Sequence, residues 1–460
     1  MSSLIFLLAC CLTHVASGQT RTVRVVTYNI AADIDGATSP LPGLIAPPGN
    51  TSDVQAGGVL EGIGEEIVAG DPAQPLDILA LEETTSNPQT IAPIVNGLNA
   101  FYSNQNVTVT YTNSPYQATE SGGDVADGNG PNAMVYNRTT LQLLASVPID
   151  PPGGTSKLGS SSGEYREVMR YEFAPAGIAA TVTNEFYVYV SHYKSSSSGS
   201  ETTDESERAG EATIIRNNAA TNLPAGSRIV FVGDYNITAS GEASYQILLS
   251  NTAPCNVAEA QCIDPFNVTD NPNIDWGAST TVPSILAAET EKGSKLEYRD
   301  DLQLITTNVY YGTGSGLKLV PGTYHTFANN GTIPYKGTVN SGSNTSLSNL
   351  VTGAAISASQ LYLDATNASD HLPVVADYTI PVPAPVITGI TLAGNNLVFN
   401  AGNTATNGVY VILTSTNLSA PPANWISLAT NTSGGGTFSF TLTNAVNANA
   451  PQAFYILQQQ

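Results

Sequence analysis

The sequence predicts a layered fold of the α/β or α+β class, followed by a small all-β domain. Apolar runs at residues 23–30, 76–81 and 186–190 have the length and the β-branched content of buried strands. Segments with apolar residues at helical spacing separate such runs, and this alternation implies helices packed against sheets. Hydrophobic residues make up 41% of the 460-residue chain, which supports a full core and excludes a disordered protein.

The helices are predicted from apolar spacing and from charge at their ends. Leu60, Ile63 and Ile67 recur at helical spacing within residues 54–69. Residues 204–222 have acidic side chains in the first turn and a basic one later, which suits the helix dipole. The other patterns predict helices at residues 88–100 and 244–249, and strands at residues 133–136, 141–147, 167–173, 302–306 and 372–378 and from Ile229 onward.

The composition changes at residues 381–385, which read Pro-Val-Pro-Ala-Pro. No Asp, Glu, Lys or Arg follows Asp377, and short β-branched runs alternate with Thr, Asn, Ser and Gly. This pattern predicts a Pro-rich linker and a small all-β module over residues 386–460. Because the module contains no general acid or base, we place the chemistry in residues 19–380. We expect the module to contact a cell surface or a glycan.

Residues 1–18 have the features of a secretory signal peptide. Residues 4–12 form the apolar region, and residues 16–18 offer small side chains for cleavage. A lipoprotein signal that ends at Cys10 is the alternative. We therefore expect a secreted protein, extracellular or periplasmic. No apolar run long enough to span a membrane follows, so we expect no transmembrane segment.

Two cysteines, Cys255 and Cys262, remain after the predicted signal is removed. In a secreted chain a lone pair is most simply a disulfide that closes a loop, and two free thiols are the alternative.

The formal net charge of −22 excludes a general electrostatic attraction to nucleic acid or to anionic membranes. An acidic hydrolase can still recruit a phosphate substrate through divalent metal ions and a local basic patch.

Polar side chains stand at the ends of several predicted strands. A carboxylate, an amide and a histidine gathered there can bind a metal ion and activate water. Histidine is scarce, because the chain has four and His14 lies in the predicted signal. In chain order the six motifs are Tyr28-Asn29, Glu82-Glu83, the run from Ser191 to Ser195, the run from Gly233 to Asn236, the run from Arg299 to Leu302, and Ser369-Asp370-His371.

In this order, the six motifs resemble the endonuclease/exonuclease/phosphatase superfamily, which has the DNase I-like fold. The resemblance covers roughly residues 23–378 and is closest to secreted bacterial members with a C-terminal β module. It implies a four-layer sandwich of two mixed β-sheets flanked by helices. It also implies a metal-dependent phosphoric-ester hydrolase.

The resemblance implies that Glu83 is the main metal ligand, with Asn29 and Asp370 beside it. An oxygen set with few protein ligands suits Mg²⁺, and Mn²⁺ or Ca²⁺ could replace it or add to it. The family usually has a second amide or acid two residues after the first Asn, where this chain has Ala31. An acidic residue of the following loop could take its place.

The resemblance also implies the catalytic roles. Asp234 orients or deprotonates the attacking water, and Asn236 holds the phosphate or that water. His371 contacts the scissile phosphate or transfers a proton, while Asp301 fixes its tautomer and raises its pKa. His192 is a candidate acid for the leaving oxygen.

Three basic residues, Arg166, Lys194 and Arg208, are candidate contacts to the substrate phosphate. Glu82 is expected to face away from the site, at a position where the family usually has an amide.

The sequence therefore predicts a secreted, divalent-metal-dependent phosphoesterase that cleaves phosphodiesters, acts as a monomer and has nucleic acid as its leading substrate. The alternative substrate is a lipid headgroup or a small phosphate ester, as in sphingomyelinase-like enzymes, and the acidic charge favours it. A third hypothesis is a surface-binding protein whose catalytic domain has decayed, which Ala31 weakly favours.

Overall fold

The computed structural model describes residues 19–32, 43–45, 58–85, 87–115, 131–149, 168–196, 201–250, 261–266, 285–292, 295–382, 384–443, 445 and 453–459. The chain divides into two compact units. The larger unit comprises the described parts of Thr22–Phe173 and Glu185–Ile380, and the smaller unit comprises those of Met1–Arg21, Ala174–Asn184 and Pro381–Gln460. The predicted signal, Arg166 and Cys255 lie outside the described residues.

The strands, in chain order, are β1 (Gln19–Asn29), β2 (Ile78–Glu82), β3 (Tyr111–Asn113), β4 (Ala133–Asn137), β5 (Leu141–Ile149), β6 (Val168–Pro175), β7 (Phe186–His192), β8 (Ile229–Asp234), β9 (Cys262–Ile263), β10 (Asp301–Thr306), β11 (Lys318–Leu319), β12 (His325–Thr326), β13 (Val374–Val382), β14 (Val386–Ala393), β15 (Asn396–Ser415), β16 (Ile426–Leu442) and β17 (Phe454–Gln459). The α-helices are α1 (Val59–Ile63), α2 (Ala92–Asn104), α3 (Glu201–Asn222), α4 (Ala243–Leu249), α5 (Thr307–Tyr310) and α6 (Ala358–Asn367). A π-helical turn (Asn87–Ile91) precedes α2, and 3₁₀ turns cover Leu286–Ala288, Ser346–Asn349 and Pro422–Asn424.

Two mixed sheets form the larger unit. The first has the strand order β11-β13-β1-β2-β4-β3, with β12 also paired to β13, and the second has the order β5-β6-β7-β8-β10-β9. Because side chains alternate across a strand, β1 and β2 contribute to two cores. Val25 and Ile78 belong to a core that they share with Val188 and Val232 of the second sheet. This core fills the space between the sheets.

Helices cover the outer face of each sheet. Residues of α1, α2 and α6 share a second core with the opposite faces of β1 and β2, including Leu60, Leu98 and Leu361. Residues of α3 and α4 share a third core with β7 and β8, including Ile215 and Leu248. The layers therefore run helix, sheet, sheet, helix, and the predicted α/β sandwich is confirmed.

The helix predicted over residues 54–69 is shorter than its apolar spacing suggested. Of the described residues there, only Val59–Ile63 are helical, and Ile67 is 42% exposed. Two glycines in and after this helix lie close to neighbouring side chains. A Cβ at Gly62 would lie 2.4 Å from Leu361, and one at Gly64 would lie 2.0 Å from the Tyr102 hydroxyl. Spacing alone could not show these neighbours.

Buried polar contacts join the two sheets and brace the larger unit. The Gln303 side chain of β10 donates to the carbonyls of Val25 at 3.0 Å and Val374 at 2.8 Å. Arg24 of β1 forms two hydrogen bonds, each 2.8 Å, with the Asp377 carboxylate of β13. Both partners of that ion pair are buried.

The smaller unit contains an antiparallel sheet of order β14-β15-β16, with β17 paired to β15. Its core is aromatic, since the rings of Phe399 and Phe440 stack 5.5 Å apart and Tyr455 packs edge-on against Phe399 at 5.1 Å. The predicted small all-β domain is therefore present. No helix among the described residues is both long and apolar enough to cross a membrane.

Candidate active site

Strand register brings the predicted side chains of the second sheet together. β7 and β8 are parallel and place His192 opposite Asp234, and β10 runs antiparallel to β8 and places Asp301 opposite the same residue. In the first sheet, parallel pairing of β1 and β2 places Asn29 opposite Glu82, so that Glu83 follows at the same edge. The polar ends of both sheets therefore meet at one edge of the sandwich.

Asn29 connects two carboxylates that come from different sheets. Its side-chain N–H groups donate to Glu83 Oε1 at 2.9 Å and to Asp234 Oδ2 at 3.0 Å. Its own oxygen accepts the backbone N–H of Ala31 at 3.0 Å. In this arrangement the Asn29 nitrogen faces the acids, whereas a metal ligand would present the oxygen. All three side chains are buried.

His192 completes a group of possible metal ligands. Its Nε2 atom lies 3.5 Å from both Glu83 Oε1 and Asp234 Oδ2. The ligand atoms of the three side chains lie within 4.8 Å of one another, and among the described residues they form the one group of three or more acidic, His or Cys side chains with that spacing. Two carboxylates and one imidazole fit a divalent ion, and the imidazole widens the choice to transition metals such as Mn²⁺.

His371 and Asp301 form a buried pair beside these ligands. Asp301 Oδ2 lies 2.7 Å from His371 Nδ1, and His371 Nε2 lies 3.9 Å from Asp234 Oδ2. Burial by itself would lower the pKa of His371, but the carboxylates of Asp301 and Asp234 raise it well above its usual value. These carboxylates therefore favour the positively charged form of His371, whose Nε2 lies on the side of Asp234.

Ser369 fixes the loop that carries His371. Its hydroxyl donates to the Asn29 carbonyl at 2.7 Å and accepts the His371 backbone N–H at 3.1 Å. The end of β1 is thereby tied to the histidine loop.

Uncommon backbone conformations surround the site. Glu83, Asn236 and Ala31 have φ values of 54°, 50° and 48°, in the left-handed region that side chains disfavour. Gly233 has a φ of 140°, and a Cβ there would lie 1.9 Å from the Ser191 carbonyl oxygen. Only glycine allows β7 and β8 to approach so closely before Asp234.

Asp234 and Asn236 are held in one short loop. The Asn236 backbone N–H donates to Asp234 Oδ1 at 3.0 Å, and the Asn236 side chain donates to the Tyr193 carbonyl at 3.1 Å. Burial raises the pKa of Asp234, and the nearby Asp301 carboxylate adds to the rise. A raised pKa makes Asp234 a stronger proton acceptor.

Two of the three predicted phosphate contacts, Arg208 and Lys194, are paired with other groups of the chain. Arg208 is fully buried, and its guanidinium binds the Glu242 carboxylate at 2.6 and 3.0 Å. The Lys194 ammonium donates to the Ser195 carbonyl at 2.8 Å and lies 3.6 Å from Asp204 Oδ1. Arg166 lies outside the described residues. The structure does not bring Arg208 to the surface of the site.

The remaining predicted site residues have mixed outcomes. Asp370 is adjacent to His371, and its carboxylate accepts the Ser369 hydroxyl at 3.4 Å, but it is not part of the three-residue ligand group. Cys262 is buried on β9, and its predicted partner Cys255 is outside the described residues, so the disulfide stays a prediction.

Three further acids near the site have raised pKa values. Glu82 is fully buried, and burial together with Asp301 and Asp234 raises its pKa well above the usual value, while its expected orientation away from the site stays a prediction. Burial also raises the pKa of Asp300 well above its usual value and that of Glu291 to about 7. The run Arg299-Asp-Asp301 marked Asp300 in the sequence, but no pattern marked Glu291.

The fold has the organisation that the DNase I-like resemblance implied. No family model matches the chain, and no curated protein matches it. Among solved structures, an endonuclease/exonuclease/phosphatase family protein from Bacteroides thetaiotaomicron is similar, with 12% identity, a TM-score of 0.39, and coverage of 79% of this chain and 99% of that one.

Two further structures are similar over a comparable length. An endonuclease/exonuclease/phosphatase from Beutenbergia cavernae has 13% identity, a TM-score of 0.38, and coverage of 96% of this chain and 100% of that one. The catalytic domain of human Nocturnin has 14% identity, a TM-score of 0.39, and coverage of 78% and 97%. The roles of individual residues rest on the geometry of this chain.

Proposed function

We propose that this chain is a divalent-metal-dependent phosphoesterase that hydrolyses phosphodiester bonds. One observation carries the proposal: the Glu83, His192 and Asp234 ligand atoms lie within 4.8 Å of one another, directly beside the Asp301–His371 pair. In-line attack on a phosphate requires carboxylates that can hold a metal ion, a carboxylate that accepts a proton from water, and a fixed imidazolium.

The metal ion would be held by Glu83 and Asp234, with His192 as a third ligand. An ion bound there supplies positive charge to a phosphoryl oxygen. Mg²⁺ suits the carboxylates, and the imidazole favours Mn²⁺. Asn29 would hold the two carboxylate ligands in place through its hydrogen bonds to them. If its side-chain amide rotated by half a turn, its oxygen would instead face the metal ion as a ligand.

The side chains divide the work of hydrolysis. Asp234 accepts a proton from the attacking water as the new phosphorus–oxygen bond forms. The His371 imidazolium, held by Asp301, binds a phosphoryl oxygen, because its raised pKa keeps it protonated. As the bond to the leaving oxygen breaks, that oxygen takes a proton from water, because His192 Nε2, as a metal ligand, has none to give. Asn236, next to Asp234, is placed to bind the phosphate or the water.

The direct test is hydrolysis of DNA, RNA and bis-p-nitrophenyl phosphate by the full chain, with Mg²⁺ or Mn²⁺ and with EDTA. We expect EDTA to abolish cleavage and Asp234→Asn and His371→Gln each to lower kcat by at least about 100-fold. Thr27→Ser, at a buried strand position, serves as a matched control and should retain activity. Cleavage that survives EDTA, or full activity in Asp234→Asn, would exclude this function.

The net charge of the chain favours a second candidate substrate, a lipid headgroup or a small phosphate ester. The formal net charge is −22, and the predicted phosphate contact Arg208 is committed to Glu242. An acidic protein repels a long polyanion more than a compact diester. A panel that shows hydrolysis of sphingomyelin or bis-p-nitrophenyl phosphate but not of polynucleotide would select this candidate over a nuclease.

The decayed-domain hypothesis makes a different prediction. If the chain only binds a surface, Mn²⁺ should produce no change in melting temperature. The buried and mutually bonded set of Asn29, Glu83 and Asp234 argues for retained metal binding.

We also propose export to the cell exterior, and N-terminal sequencing of the mature protein would test whether residues 1–18 are removed.

A further inference from the structure

The Asp301–His371 pair joins two different sheets. Asp301 begins β10 in the second sheet, and His371 precedes β13 in the first, 70 residues further along the chain. Neither strand by itself fixes the distance between the carboxylate and the imidazole. A third segment, residues 289–292, lies against both and connects them.

Thr290 is the residue of this segment that bonds to both sides. Its hydroxyl oxygen accepts the backbone N–H groups of Asp300 at 3.1 Å and Asp301 at 3.0 Å. Its carbonyl accepts the backbone N–H of Leu372 at 2.8 Å, and its own N–H donates to the Tyr298 carbonyl at 2.8 Å. Thr290 is fully buried, so water does not replace these bonds.

The neighbours of Thr290 extend the connection along the histidine loop. Glu291 forms an isolated β-bridge with His371, and the Lys292 backbone N–H donates to the Asp370 carbonyl at 2.8 Å. The Lys292 ammonium donates to the Thr366 carbonyl at the end of α6, at 2.9 Å. The segment is therefore anchored at several points, and Thr290 is the point that also bonds to Asp301.

We propose that Thr290 is a positioning residue that sets the geometry of the Asp301–His371 pair. Its hydroxyl places the start of β10, and its carbonyl places the residue after His371. The catalytic consequence rests on the proposed phosphoesterase function, whereas the geometric consequence does not.

Replacing Thr290 by valine keeps the shape and removes the acceptor of two buried N–H groups. Buried N–H groups seldom remain unpaired, so the backbone at Asp300 and Asp301 is expected to shift toward another acceptor. The Asp301 carboxylate moves with it. A displacement of about 1 Å at a catalytic group can cost about 100-fold in rate.

Three variants of the full chain separate positioning from general destabilisation. Thr290→Val removes the hydroxyl, and Thr290→Ser retains it. Thr323→Val is the matched control, because Thr323 is also buried and its hydroxyl accepts the Asp377 backbone N–H at 3.0 Å, further along β13 from His371. Each variant is assayed for kcat and KM on bis-p-nitrophenyl phosphate, for melting, and for the imidazole N–H resonance of His371, assigned from its loss in His371→Gln.

We expect Thr290→Val to lower kcat about 10- to 100-fold, to leave KM within about threefold, and to move or remove the His371 resonance. Thr290→Ser should recover most of the rate and the resonance, and Thr323→Val should keep both.

An unchanged resonance in folded Thr290→Val would overturn the proposal, whatever happens to the rate. So would an equal loss of kcat in Thr290→Val and Thr323→Val. If the wild-type protein hydrolyses no phosphoester, the proposed function fails, but the resonance still decides whether Thr290 positions the pair.

Discussion

Replacement of Arg208 by methionine tests whether this guanidinium supports the fold or binds the substrate. The sequence suggested a phosphate contact. In the structure, Arg208 Nε and Nη2 bind Glu242 at 2.6 and 3.0 Å, and Nη1 donates to the Lys194 carbonyl at 3.0 Å. Both side chains of the ion pair are buried. We therefore expect the main effect to be on stability.

The expected loss in the free energy of unfolding follows from the charge of Glu242, which is unpaired in Arg208→Met. Glu242 stays buried, with only the Ser244 hydroxyl at 2.7 Å and weaker bonds from Thr238 to stabilise its charge. Breaking a buried ion pair from one side costs about 3–5 kcal/mol, out of a total stability of about 5–15 kcal/mol. The double replacement of Arg208 and Glu242 by methionine should recover much of this loss, because no unpaired charge remains.

Urea unfolding, read together with kcat and KM, distinguishes the two roles. Arg24→Met is the matched control, since Arg24 forms a similarly buried pair with Asp377, with two bonds of 2.8 Å. Both single variants should lose about 3–5 kcal/mol. KM should stay within about threefold of wild type in each. A stability loss below about 1 kcal/mol in Arg208→Met, with KM raised tenfold or more, would refute the reasoning and return Arg208 to the substrate.

Three further predictions follow from buried groups. Gly233→Ala places a Cβ 1.9 Å from the Ser191 carbonyl oxygen, so it should cost more than about 4 kcal/mol, and a cooperative melt near the wild-type temperature would contradict the close approach of β7 and β8. Burial raises the pKa of Glu289 to about 8 from 4.5, so its charged form opposes folding increasingly between those pH values. Glu289→Gln should therefore melt like wild type at pH 4 and at a higher temperature than wild type at pH 9, and equal melting of the two proteins at both pH values would count against it. Mn²⁺ should raise the melting temperature and release protons, because metal ligands must be deprotonated; calorimetry in buffers of different ionisation enthalpy counts these protons, and Glu83→Gln should abolish both effects.

The pattern of strands and helices predicted a layered α/β or α+β fold, and the two-sheet sandwich and the candidate groups at its edge came from the resemblance to the superfamily. Asn29, His192 and Asp234 end strongly apolar runs, and an apolar run of that length fixes a buried strand with little ambiguity. Once two strands are parallel and adjacent, their last residues must be neighbours, as His192 and Asp234 are. The local sequence pattern therefore indicated which side chains are neighbours, wherever regular strand pairing continued to the end of the strand.

Other parts of the site depend on contacts that no local pattern records. Thr290 lies in an irregular segment. Its role arises from hydrogen bonds to Asp301 and Leu372, which are distant from it in sequence. Arg208 was assigned by charge, but its partner Glu242 is 34 residues away on a neighbouring element. Pairing of this kind is decided by tertiary packing, so a basic residue on a predicted helix could not be assigned to substrate or to core in advance.

The site exists only when the two sheets are packed against each other. Asn29 and Glu83 come from the first sheet, and Asp234 comes from the second, yet they are within hydrogen-bonding distance. His371 and Asp301 are divided between the sheets in the same way. Burying Asp234 beside Asp301 opposes folding, as the raised pKa of Asp234 indicates, and this cost must be offset elsewhere. The apolar core between the sheets and the Gln303 bonds across them are placed to do so. Neutralising Asp234 should therefore stabilise the fold at the expense of hydrolysis, whereas weakening the contact between the sheets should impair both together.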